Sequence, residues 1–161
     1  MKLINNYFTK LDKFSLSISV ITLFVMMLWI VIDVLLRYFF NSPIQGTLEL
    51  TGEYFMVLIV YLSISYAQKD NEHVNVVLFY EKFPKKVRYI VNFFVNILGS
   101  SIFFYIAYLN VLKGLEYTDR GIKSSGLMDY PLAPALFIIA FGLIMLGLRL
   151  LIESLTIVIK K

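Results

Sequence analysis

Three pairs of charged residues stand out against an apolar background. They are Asp33 with Arg37, Glu49 with Glu53, and Arg149 with Glu153, each spaced i, i+4 so that both members share one helical face. In lipid, an ionisable group costs about 2.5–3.5 kcal/mol at a helix centre and turns towards protein or a cavity. Two chemistries fit such groups: a site for a proton or cation, or salt bridges that fix one helix against another or against a partner chain. Arg37 lies within reach to neutralise an acid, and no charge falls at mid-membrane, which favours the salt bridges. Arg149 can carry its guanidinium to the cytoplasmic interface, so anchoring and contact with a partner helix are its two readings. His73 is the single histidine and reads as a capping or hydrogen-bonding residue. Cys is absent, which excludes disulfides, thiol catalysis and cysteine-ligated metals. No nucleophile–base pair, glycine-rich phosphate loop or metal-ligand spacing occurs. Neither an enzyme nor a cofactor-binding protein is expected.

The elements that carry these residues follow from composition. The chain has 161 residues, 59% hydrophobic and 16% charged, with mean hydropathy +0.77. A soluble domain is nearer 45–50% apolar and about 25% charged. Hydrophobic runs cover 14–36, 48–67, 89–112 and 131–159. About 20 residues cross about 30 Å of hydrocarbon, and only a helix satisfies its own backbone there. The fold expected is an all-α integral membrane protein of four transmembrane helices in a single domain, 1–161. The first run is too long for a signal-peptide core and no small-residue cleavage site follows it, so it reads as a retained anchor.

Lys2, Lys10, Lys13, Lys69, Lys82, Lys85, Lys86, Arg88, Lys160 and Lys161 fall on one side of these spans; Arg37, Lys113, Arg120 and Lys123 fall on the other. The positive-inside rule then places both termini in the cytoplasm. The net charge of +4 is that signal, and it leaves nucleic-acid binding without support. Between the second and third spans, residues 74–83 place Val76, Phe79 or Tyr80, and Phe83 on one face, ended by Pro84 and a basic run. This reads as an amphipathic helix on the inner leaflet, in contact with membrane lipids; a short buried helix or strand is the other reading.

The charge-free part of the second span, Tyr54 to Ala67, reaches only about 21 Å. Glu53 is therefore drawn below the outer membrane surface, near Glu49, Asp33 and Arg37. The fourth span carries Ala133, Ala140, Gly147 and Ser154, one small residue every seventh position. Such a strip lets another helix approach closely, either inside this unit or from another subunit. In the third span, Asn92 and Asn96 share a face and are expected to bond between helices. No inverted repeat of the kind transporters use is visible.

Arg37-Tyr38-Phe39-Phe40-Asn41-Ser42-Pro43-Ile44, then Gly46-Thr47-Leu48-Glu49-Leu50 and Glu53, resembles the first hairpin of the small membrane subunit (Q-type, DctQ-like) of tripartite ATP-independent periplasmic (TRAP) transporters. Ala67-Gln68, Glu72-His73-Val74-Asn75-Val76 and the Pro84 segment match that pattern too. The resemblance covers roughly residues 20–90. Beyond it, the family's aromatic after the proline that opens the fourth span is replaced by Leu132-Ala133-Pro134.

The resemblance implies a multi-pass protein of the bacterial inner membrane. It implies a scaffold for a large (M-type) membrane subunit that works as an elevator and carries the sodium and substrate sites. A periplasmic binding protein would deliver an organic acid, such as a C4-dicarboxylate or a sialic acid. Arg37, Asn41, Pro43, Glu49, Glu53 and His73 are then fold and interface candidates. The competing reading is a self-sufficient small four-helix cation or multidrug transporter acting as an oligomer. That reading wants an acid towards the middle of helix 1, whereas Asp33 lies near an end.

Overall fold

A computed structural model describes residues 2–69, 85–124, 126 and 129–159. The amphipathic helix expected at 74–83 and the position of His73 lie outside them. Helix α1 runs Lys2–Phe40, longer at both ends than the apolar run. The second span is composite: a short α2, Thr47–Leu50, a π-helical turn, Thr51–Phe55, and α3, Met56–Lys69. Then come α4, Lys85–Arg120, and α5, Ala133–Ile159. Among the described residues, four helical segments, Tyr7–Phe40, Thr47–Gln68, Ile90–Arg120 and Ala133–Leu155, are long and apolar enough to cross a membrane.

Packing runs α1 on α3, α3 on α5, and α5 on α4. Among the described residues, all the buried apolar side chains except Ala107 lie on α5. The most apolar helix is the middle one, with helices on both flanks. Its small residues permit this. Phe104 of α4 packs against Gly147, where an added Cβ would stand 3.2 Å from the ring, and Ser100 donates to the Gly147 carbonyl at 2.9 Å. On the other flank, a Cβ at Gly142 would overlap the Tyr61 carbonyl of α3. Ala133, Ala140, Gly147 and Ser154 are all buried inside this chain, so the seven-residue strip serves packing within the four-helix unit. Among the described residues, Ser100 supplies a hydrogen bond between α4 and α5.

The connections follow local chemistry. Asn41 ends α1 at φ +49 and Gly46 opens α2 at φ +77, with the exposed Pro43 between them. Helix α4 ends on Gly121 at φ +60, with Ile122 N–H returning to the Tyr117 carbonyl at 3.0 Å and Gly121 N–H to Thr118 at 3.3 Å. This is the left-handed glycine cap that satisfies the last carbonyls of a helix. The loop beyond it folds back as a small hairpin, with Ser124 N–H on the Tyr130 carbonyl at 2.7 Å and a bridge between Lys123 and Pro131. The 41–46 turn and this hairpin form one end of the unit, here the turn end; the first turns of α1 and the last turns of α5 lie at the other, the terminal end.

Candidate functional site

At the turn end, Asp33 is buried although Arg37 beside it is largely exposed. Its Oδ2 accepts from Arg37 Nη2 at 3.0 Å, and its Oδ1 accepts the backbone N–H of Ile44 at 2.7 Å. One carboxylate thus holds the 41–46 turn onto α1, and Thr47 adds a bond to the Ile44 carbonyl at 3.1 Å. Arg37 is spent on Asp33, not on Glu49 or Glu53.

Those two acids instead meet the hairpin between α4 and α5. Glu53 Oε1 accepts from Ser124 Oγ at 2.7 Å. The Glu49 carboxylate lies so close to Gly126 that a Cβ there would overlap it. Tyr54 donates its hydroxyl to the Pro131 carbonyl and sets its ring edge-on to Tyr130, centroids 6.1 Å apart. Of the acids near Arg37 at this end, the one it pairs with is Asp33 and neither glutamate. Glu53 lies inside the π-helical turn, a feature that adds a residue to one helical turn and often marks a functional position. Here the wider turn belongs to the stretch that presents Glu49, Glu53 and Tyr54 to the hairpin.

At the terminal end, Arg149 is buried, its side chain only 6% exposed. It does not reach out to a membrane surface, and the anchoring reading is corrected. Its Nη1 stands 3.5 Å from Asp12 Oδ2 and its Nε 3.4 Å from Glu153 Oε1. Asp12 is wholly buried and its Oδ1 accepts from Ser65 Oγ at 2.8 Å, while Glu153 Oε2 accepts from Gln68 Nε2 at 3.1 Å. Residues from α1, α3 and α5 therefore meet in one polar cluster. Burial at this level is tolerable because Arg149 faces two carboxylates and each carboxylate also has a neutral donor.

Asp12 escaped the sequence reading because it precedes the apolar run. A signal was present: Asp12, Ser15, Ser19 and Asp33 are all buried and follow one another at steps of three, four and fourteen residues, one polar face of a helix. Ser19 uses it to donate to the Ile59 carbonyl of α3 at 2.8 Å. Such hydrogen bonds join helices where apolar surface provides no net attraction.

Chemically, these groups fasten helices and loops. Among the described residues, no group of three His, Cys, Asp or Glu side chains gathers as a metal site. The family profile for the DctQ component of tripartite ATP-independent periplasmic transporters matches residues 26–159. A curated Haemophilus influenzae protein, described as a TRAP transporter small permease protein, is 31% identical over 142 residues, covering 83% of this chain and 86% of the relative. No solved structure matches the chain. The profile takes in the turn held by Asp33, the acids under the hairpin and the α5 cluster, and on that match the chain belongs to the DctQ family of TRAP transporter components, as a multi-pass protein of the bacterial inner membrane.

Proposed function

We propose that this chain is the scaffold subunit of a sodium-coupled, binding-protein-dependent TRAP transporter for an organic acid. In this reading it braces a large elevator-type membrane subunit, which carries the sodium and substrate sites, and a periplasmic protein delivers the carboxylate. The turn end faces the periplasm and both termini the cytoplasm, in keeping with the distribution of Lys and Arg. The observation that carries the proposal is how the charged groups are used. Asp33 holds a turn, Glu53 a hairpin, and Arg149 draws α1 and α5 together. A chain whose membrane-level charges are engaged in its own packing is suited to a static role.

Reconstitution tests this. The chain, the large subunit, and both together are placed in proteoliposomes with the binding protein and a sodium gradient. Uptake of the organic acid is expected only with both chains. Full-rate uptake by the large subunit alone would reject the scaffold role, and cation transport by this chain alone would favour the small multidrug-type reading.

A further inference from the structure

The first turns of α1 carry opposite charges on their two sides. Asp12 and Ser15 are buried, whereas Tyr7, Lys10, Leu11, Lys13 and Phe14 are exposed. Asp12, the acid between the two lysines in sequence, is engaged with Arg149 and Ser65. Neither lysine has an ion pair or a hydrogen bond among the described residues. The outward side thus keeps two cations three residues apart, neighbours on a helix surface. An aromatic ring lies on either side of them, Tyr7 72% and Phe14 64% exposed.

Sequence and contacts agree on their depth. Residues 14–32 of α1 carry no charge, a run of about 28 Å at 1.5 Å per residue, close to the hydrocarbon thickness of about 30 Å. Lys13 then stands at the hydrocarbon edge, and Lys10 about one turn beyond it. Charges return at the same level on the neighbouring helices: Asp12 meets Arg149 of α5, and it meets Ser65 of α3 four residues before Lys69. Lysines and aromatic rings at this level sit in the headgroup layer, where an ammonium meets phosphate and a ring straddles the boundary.

We propose that Tyr7, Lys10, Lys13 and Phe14 form a binding site for an anionic phospholipid, with the two ammonium groups on its headgroup and its acyl chains along the free face of α1. The site goes beyond the scaffold reading and does not depend on it. Charge complementarity names the headgroup, because the acid that could have neutralised the lysines is spent inside the bundle. The rest of the face names the chains. Over residues 18–35, every exposed side chain of α1 is apolar, and none is Gly, Ala, Ser or Thr. Small residues are what a membrane helix presents for close packing against another helix; bulky apolar side chains with none between them suit acyl chains. Thr22, at the margin, turns its hydroxyl to the Ile18 carbonyl at 2.8 Å.

The test uses the full chain in vesicles. Trp29 is the single tryptophan, so Trp29→Phe with Phe14→Trp leaves one fluorophore beside the lysines. This reporter is reconstituted in phosphatidylcholine that contains, at equal fraction, brominated phosphatidylglycerol or brominated phosphatidylcholine. The anionic lipid should quench more, with a relative affinity of roughly five- to thirtyfold, the range for one to two lysines at a headgroup surface. The excess should vanish with Lys10→Gln plus Lys13→Gln, survive Lys10→Arg plus Lys13→Arg, and fall as salt is raised. Equal quenching by the two lipids, or an excess that persists in the glutamine pair, would overturn the proposal. Should the glutamine pair not fold, salt decides in its place, and an excess unchanged by salt would overturn it as well. In the co-expressed complex with the large subunit, a photoreactive benzoylphenylalanine at Leu11 should capture lipid. An adduct with the large subunit there would overturn the lipid site and leave the small-subunit reading intact.

Discussion

Asp12 and Arg149 approach to 3.5 Å although one lies in the first turns of α1 and the other near the end of α5. Both are buried, and Ser65 of α3 bonds the same carboxylate. Removing one member of a buried pair costs about 3–5 kcal/mol, because the charge left behind has lost its partner. Arg149→Met should be the most damaging change at this end, since it strands Asp12 and Glu153 together. Asp12→Asn should cost less, because Arg149 keeps Glu153 at 3.4 Å. The double variant Asp12→Asn with Arg149→Met should recover much of the loss. Thermal unfolding of the detergent-solubilised complex measures the ordering; equal loss in both single variants would contradict it.

Glu53 is expected to tether the hairpin. A hydrogen bond to a charged group contributes about 1.5–3 kcal/mol. Glu53→Ala should free Ser124 and speed cleavage by trypsin after Lys123, whereas Glu53→Gln keeps an acceptor oxygen and should change little. In both, the sodium dependence of uptake per assembled complex should match the parent. A shifted sodium dependence would move Glu53 into the transport path.

Glycines separate close approach from open space. Gly126→Ala would drive a methyl group into the Glu49 carboxylate, and Gly142→Ala into the Tyr61 carbonyl. Gly52 has nothing within 4 Å of an added Cβ, so Gly52→Ala should be neutral or stabilising by up to about 1 kcal/mol. Because a side chain at position 49 can move and a backbone carbonyl cannot, Glu49→Ser should rescue Gly126→Ala, and no side-chain change at Tyr61 should rescue Gly142→Ala. Folded yield and melting temperature report both.

The orientation proposed here predicts a labelling pattern. With single cysteines at Ser42, Ser125, Asn71 or Lys161 in this Cys-free chain, an impermeant thiol reagent on intact cells should reach Ser42 and Ser125 only. Equal labelling at Asn71 or Lys161 would reverse the orientation.

The number of spans, the membrane class and the family were legible from the sequence, because each rests on local patterns. About 20 apolar residues must be helical in lipid whatever they touch, and the Arg37–Pro43 turn with Glu49 and Glu53 is a short contiguous motif. Pairings were less accessible. Asp33 with Arg37 follows from helical periodicity, but Glu53 with Ser124 and Arg149 with Asp12 join distant parts of the chain. Which helix lies in the middle decides both. Once α5 seats its small residues against α4 and α3, Arg149 is enclosed beside α1, and the hairpin that leads into α5 comes down over the end of α2. An i, i+4 spacing shows that two charges share a face; only the packed helices show what that face meets, because burial and partner are set by neighbours far away in the chain.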